Sequence, residues 1–224
     1  VPKIAICFAG LPRLTPDTEI TWQRFIDRFE ADVFVHTWLV SPNTTETVNR
    51  QIVKVLNPKL LITEPAKSFN IARYNSRIYP HRSEPQNVLS MWYSIKESIN
   101  LCLNYNKEKQ INYDIICRTR MDWWCSNLEL IDDINDTITV PDDPGLSGHR
   151  FKYRNIQYTA HNDQFGYGKP NLMSMYATTF DHIPFLYTDE IVDFCSELFL
   201  TSNLISYNIP ITYQKHLNYR MSRS

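Results

Sequence analysis

Residues 3–38, KIAICFAGLPRLTPDTEITWQRFIDRFEADVFVHTW, decide the fold. Lys3 to Ala9 is a short apolar run that stops at Gly10-Leu11-Pro12-Arg13, the pattern of a buried strand feeding a loop. Thr15 is a candidate N-cap with Pro16 at the first helical position. Behind it Trp22, Phe25, Ile26 and Phe29 recur at i, i+3, i+4 and i+7, one face of a helix. Asp32 to Trp38 then reads as a second strand. Further out, Thr44 or Thr45 opens a second helix with the face Val48, Ile52, Val55 and Leu56, stopped at Asn57-Pro58 before a strand from Lys59 to Thr63. Strands alternating with helices in this way predict an α/β fold, a mostly parallel sheet flanked by helices and joined by right-handed crossovers.

Residues 65–82 lack periodicity and are rich in Arg, Tyr and Asn, so they are expected to form a long loop over the sheet. Ser83-Glu84-Pro85-Gln86 has the spacing of a capping box, and Leu89, Trp92, Ile95, Ile99 and Cys102 form the stripe of the clearest helix in the chain. Tyr113 to Cys117 is the fourth buried strand, running straight into Arg118-Thr119-Arg120-Met121-Asp122. Beyond it the texture changes. Short strand candidates at Ile138 to Val140 and Arg150 to Tyr153 flank Pro141-Asp142-Asp143-Pro144-Gly145, and two helices are expected at about 170–180 and 189–202. No repeat or linker divides the chain, so residues 1–224 are expected to form one domain.

Composition removes several function classes. The five glycines, Gly10, Gly145, Gly148, Gly166 and Gly168, cannot be arranged into a dinucleotide fingerprint or a phosphate-cradling P-loop. Lys+Arg 23 against Asp+Glu 24 gives a formal net charge of -1, so there is no global basic field and no nucleic-acid partner is expected. Five scattered cysteines without a C-x-x-C pair argue against a disulfide framework and a zinc knuckle, and for reduced thiols in a cytoplasmic protein. No stretch approaches the ~18 apolar residues of a membrane span, and no signal-peptide core follows Val1, so no transmembrane segment is expected.

Ligands of open parallel sheets bind at the carboxyl ends of strands. Three such ends carry polar groups: Gly10 to Arg13, His36-Thr37-Trp38, and Arg118-x-Arg120-x-Asp122. Two guanidinium groups and a carboxylate at the end of a buried strand need either a ligand-filled cleft or an internal Arg–Asp network, because unpaired buried charge is costly. Arginine forks suit phosphate oxygens, and a carboxylate beside them suits a divalent cation. In His161-Asn162-Asp163-Gln164-Phe165-Gly166-Tyr167-Gly168, the glycines permit sharp turns or close backbone approach, and Asp163 is either a general base or a turn cap. His161 reads equally as a surface or core residue. Trp38, Trp123, Trp124, Tyr158 and Tyr167 offer flat faces for a sugar or a base, or belong to the core.

The blocks KIAICFAGLPR, ADVFVHTW, NVLSMWYSI, YDIICRTRMDWW and NDQFGYG, in that order over roughly residues 3–181, resemble a family of small GT-A-type glycosyltransferases. That family occurs in bacterial surface-polysaccharide loci and in large DNA viruses, including those of chlorella-like algae. The resemblance implies a GT-A-like domain whose Rossmann-like half, about 1–125, holds a nucleotide-diphosphate sugar, with UDP as the expected nucleotide. A smaller half, about 126–224, would hold a glycan acceptor, in the cytoplasm, or in the host cytoplasm if the source is a virus. Ala9, Gly10 and Arg13 would border the nucleotide, with His36, Arg118, Arg120 and Asp122 also at the donor. Trp38, Trp124 and Tyr167 would form the acceptor or sugar platform. Asp122 would be the last carboxylate of an Asp-x-Asp motif and the ligand of Mn²⁺ or Mg²⁺, although Arg120 stands where the first Asp belongs. Asp163 would be the base of an inverting transfer. A metal-independent or retaining enzyme on the same fold, or a non-catalytic nucleotide- or sugar-binding module, are the alternatives.

Overall fold

The computed structural model describes residues 2–39, 41–77, 84–129, 136–143, 150–153, 156–188, 194–215 and 217–222. Its first half follows the alternation read above: β1 (Ile4–Gly10), α1 (Pro16–Phe29), β2 (Asp32–Trp38), α2 (Pro42–Leu56), β3 (Leu60–Glu64), a 3-10 helix (Ala72–Arg77), α3 (Pro85–Lys109) and β4 (Ile115–Thr119). The second half is built from shorter pieces: β5 (Trp123–Cys125), β6 (Ile138–Pro141), β7 (Arg150–Tyr153), β8 (Ile156–Thr159), β9 (Phe165–Gly168), α4 (Pro170–Ala177), α5 (Thr179–Thr188), α6 (Ser196–Ser206), β10 (Ile211–Gln214) and β11 (Tyr219–Met221).

The central sheet has the order β10-β6-β9-β4-β1-β2-β3. β1 runs parallel to both β2 and β4, β2 parallel to β3, and β6 parallel to β10, whereas β9 is antiparallel to β4 and β6. The fold is therefore α/β with a mostly parallel central sheet flanked by helices.

Apolar alternation along the strands splits the core into two layers. Ile4, Ile6 and Phe8 pack with Trp22 and Phe25 of α1 and with Ile52, Val55 and Leu56 of α2. Ala5, Cys7 and Ala9 pack on the other face with Leu89, Trp92, Ile95, Ile99 and Cys102 of α3 and with residues of α4, α5 and α6. The chain moves one way across the sheet through α1 and α2, then returns past β1 through α3. A right-handed crossover places its helix on the opposite face when the direction of travel reverses, as seen here. The point of reversal lies between β1 and β4.

Local signals explain most boundaries. Thr15 and Thr18 form a reciprocal capping box at the start of α1, with Pro16 in the first turn. With glycine scarce, α1, α2 and α3 end on Glu30, Asn57 and Gln110 in the left-handed region, at φ 48°, 42° and 55°.

Several expectations need correction. α2 begins at Pro42 with Ser41 as N-cap, before Thr44 or Thr45, because proline is favoured in a first turn. The N-cap of α3 is Glu84, with no side-chain cap bond; Ser83 lies outside the described residues, and Gln86 instead bonds Phe69 N and Lys67 O, pinning the preceding loop. The stretch 65–82 contains the 3-10 helix, anchored where the Tyr74 ring packs on Tyr187 and Phe194. Three helices, not two, occupy 170–206, since α5 continues past Phe180 with Pro184 inside it. The helix expected from Asp189 starts at Ser196, and residues 189–193, like Gly145 and Gly148, lie outside the described residues. Gly166 and Gly168 are not in a loop; both belong to β9. Gly168 allows close approach instead, since a Cβ there would meet Thr137 O at 3.1 Å. Among the described residues no helix is long and apolar enough to cross a membrane.

Candidate active site at the ends of β1 and β4

β4 is two residues longer than its apolar run. Arg118 pairs with Gly166 of β9 and Cys7 of β1, so it is a strand residue and not part of the following loop. By alternation its side chain shares the α3 and α4 face with Ile116. The turn Arg120–Asp122 follows at the carboxyl edge, beside Gly10 at the end of β1. Because β9 is antiparallel to β4, Asp163, just before β9, arrives at the same edge. A doubly wound sheet opens its crevice at the point of strand reversal. The polar strand ends converge there.

Asp122 is the hub. Its residue is 2% exposed, and Arg120 grips the carboxylate with Nε on Oδ1 at 2.8 Å and Nη2 on Oδ2 at 2.9 Å. Arg13, half exposed, reaches Oδ2 from the β1 loop at 3.9 Å. Burial works against the charged form of Arg120, but the hydrogen bonds and charge of Asp122, backed by Asp163, outweigh it and hold the guanidinium pKa above its ordinary value. The Arg–Asp network therefore exists for Arg120 and Asp122.

Arg118 behaves differently. It is fully buried, and among the described residues none of its Nε, Nη1 and Nη2 atoms has a hydrogen-bond partner. Burial lowers its pKa, against the charges of Tyr176, Asp163 and Asp122, all within electrostatic range. The Tyr176 hydroxyl on α4 is likewise buried without a partner. Burial raises its pKa, so the hydroxyl keeps its proton at neutral pH.

Asp163 is 7% exposed and accepts a hydrogen bond from Ser196 Oγ at the start of α6. The turn itself is capped by its neighbour Asn162, whose Oδ1 accepts from Gln164 N at 2.8 Å. Asn162 Nδ2 donates to Tyr219 Oη at 3.0 Å and to Asp143 Oδ2 at 3.1 Å. Asp163 is thus carried by a turn it does not itself cap. Ser222, just past β11, also binds the Asp122 backbone, its N donating to Asp122 O at 2.8 Å.

His36 braces the end of β1 through Ser94. It is 1% exposed, with Nδ1 on Ser94 Oγ at 2.8 Å and Nε2 on Glu64 Oε1 at 2.9 Å. Burial lowers its pKa against the pull of Glu64. Ser94 Oγ in turn accepts from Gly10 N at 2.7 Å, and Thr37 Oγ1 donates to Gly10 O at 2.8 Å. This holds Gly10 at φ +103°, a conformation open to glycine, where β1 turns into the Arg13 loop. Ala9, beside it, packs toward α3.

The aromatic platform is not assembled. Tyr167 is fully buried against Phe165 on the α1 face, and Trp123 is buried in the same layer, stacked on Phe165 at 4.8 Å. Trp38 is 5% exposed and stacks on Tyr93. Trp124 carries Arg220 over its ring at 4.7 Å, and Tyr158 packs at the rim of the α3-side core. His161 bonds Tyr213 Oη through Nδ1.

Among the described residues no three His, Cys, Asp or Glu side chains are grouped to hold a metal. Asp122, the ligand implied by the resemblance, has both oxygens on Arg120. These residues do not fit a tightly held divalent cation, since the carboxylate is already engaged by a guanidinium group. Ser94, Tyr176, Asn162 and Ser196 escaped the sequence reading. Each is a single polar residue inside or beside an apolar helix or strand, with no spacing to mark it. Compared with known proteins, the chain matches no family model and no curated protein sequence.

Proposed function

We propose that this protein is a glycosyltransferase that moves a sugar from a nucleotide-diphosphate sugar, with UDP as the first nucleotide to test, to a hydroxyl of a glycan acceptor. The observation that carries the reading is the convergence of Arg13, Arg118, Arg120, Asp122 and Asp163 at the strand-reversal edge of a mostly parallel sheet. Breaking the anomeric C–O bond sends an electron pair onto a diphosphate, so the site needs fixed cations at the leaving group and an anion at the attacking hydroxyl. Arg13 and Arg120 suit the first task. Asp122 aims the Arg120 fork without cancelling all of the positive charge.

Asp163 suits the second. The acceptor oxygen attacks the anomeric carbon as its proton passes to the Asp163 carboxylate, the bond to the diphosphate breaks, and the configuration inverts. Ser196 fixes the carboxylate orientation. The engagement of Asp122 by Arg120 favours a metal-independent form of this reaction. Nucleoside diphosphate release, measured with an acceptor panel in EDTA and again with Mn²⁺, tests the reading. Acceptor-dependent release in EDTA supports the metal-independent form, and strict Mn²⁺ dependence supports the metal-assisted one. Binding of a donor with no release under either condition supports a non-catalytic module.

A further inference from the structure

We infer that Arg118 and Tyr176 form an inner oxyanion pocket, separate from the outer Arg13–Arg120–Asp122 clamp, that is completed only when a ligand oxyanion enters it. Three guanidinium nitrogens and a phenol hydroxyl, all fully buried, have no hydrogen-bond partner among the described residues. Leaving a buried polar group unpaired is costly, more so for a charged one, and here four such atoms belong to two side chains within electrostatic range of each other, which points to a missing acceptor. The neighbouring arginine shows the contrast: Arg120, two residues away, satisfies two of its nitrogens on Asp122.

The surroundings define the ligand. Arg118 lies opposite Gly166 on β9, and a Cβ on Gly166 would stand in contact with Tyr176 Cε2 at 3.5 Å, so glycine is what lies between the paired strands and the Tyr176 ring. Every unpaired atom of Arg118 is a donor, and Tyr176 keeps its proton, so the complement is an oxygen anion with several lone pairs. Asp163 lies within electrostatic range of both. Two oxyanions of a donor have this chemistry: the leaving diphosphate, and the carboxylate of a uronic-acid sugar. The choice of ligands rests on the donor-site reading above. The pocket itself does not.

Thermal unfolding of the full chain in EDTA, for wild type, Arg118→Met and Tyr176→Phe, tests this, with sodium pyrophosphate, UDP-glucose and UDP-glucuronate as probes. Without ligand, Arg118→Met should melt higher than wild type by about 3 °C or more, because a buried unpaired charge is removed at similar volume. Tyr176→Phe should melt no lower. Pyrophosphate should raise the wild-type Tm, and the rise should be lost in Arg118→Met and reduced in Tyr176→Phe. A pyrophosphate rise that depends on Arg118 assigns the pocket to the diphosphate. A rise with UDP-glucuronate that exceeds UDP-glucose, and vanishes in Arg118→Met, assigns it to the sugar carboxylate. A destabilised Arg118→Met, or ligand shifts equal in wild type and both variants, overturns the pocket. Pyrophosphate protection through Arg118 without any sugar transfer would leave the pocket standing and remove the transferase. Transfer that survives Arg118→Met unchanged would do the reverse.

Discussion

Arg120 holds Asp122 side-on, with Nε on Oδ1 at 2.8 Å and Nη2 on Oδ2 at 2.9 Å, and so converts what would be a bare buried carboxylate into the anchor of a cationic edge. Replacing Arg120 with Met leaves Asp122, among the described residues, no ion-pair partner nearer than Arg13 at 3.9 Å. Breaking a buried pair from one side costs about 3–5 kcal/mol. Urea unfolding should show a loss of that order for Arg120→Met, and the double variant Arg120→Met/Asp122→Asn should recover most of it. Additive losses would contradict the pairing.

Ser94 joins His36 to Gly10, accepting from Gly10 N at 2.7 Å while meeting His36 Nδ1 at 2.8 Å. Ser94→Ala strands two buried polar groups and frees the turn that carries Arg13. A stability loss of about 1–3 kcal/mol is expected, together with weaker donor binding measured by calorimetry. A variant as stable as wild type, binding donor equally well, would remove His36 and Ser94 from the support of the site.

Burial holds the His161 pKa down to about 4, against an ordinary 6.5. The native ring is neutral, whereas the unfolded chain takes up a proton as pH falls through about 6.5, so this contribution is complete above that value. It is lost as pH falls toward 4, on the order of 3 kcal/mol over the window. His36 is lowered by burial as well and acts in the same direction. Unfolding free energy measured from pH 7 to pH 4.5 should drop less steeply in His161→Gln than in wild type. Parallel profiles would show that His161 titrates normally.

The two glycines of β9 separate a tight backbone approach from ordinary van der Waals contact. A Cβ on Gly168 would stand 3.1 Å from the backbone oxygen of Thr137, while one on Gly166 finds its nearest atom, Tyr176 Cε2, at 3.5 Å. Gly168→Ala should cost about 1–3 kcal/mol by overpacking β9 against β6. Gly166→Ala should be neutral or slightly stabilising in chemical unfolding. Equal effects would contradict the packing described.

Legibility followed the strength of the periodic signal. The Trp22–Phe29 face, the Val48–Leu56 face and the Leu89–Cys102 stripe each span two turns or more, so α1, α2 and α3 were readable with their strands. Phe165–Gly168 is four residues with two glycines, too short for alternation to show. Nothing in the chain told that it would insert antiparallel between β4 and β6. That insertion makes Tyr167 core, and it pairs Arg118 into β4. The site was legible where charge interrupts an apolar strand, as at Arg118, Arg120 and Asp122. The His36–Ser94–Gly10 chain was not, because Ser94 becomes meaningful only once α3 lies across β1 and β2.

The most direct test of the central claim is donor turnover by Asp163→Asn beside wild type. Nucleoside diphosphate release is followed with a panel of nucleotide sugars and glycan acceptors, and donor affinity is measured in parallel. With Asp163 as the base, one donor should be consumed in an acceptor-dependent reaction with inversion at the anomeric carbon. Asp163→Asn should bind that donor with unchanged affinity while losing at least about 100-fold in rate, the scale of general-base catalysis. Near-normal transfer by Asp163→Asn, or a retained anomeric configuration, would contradict the account.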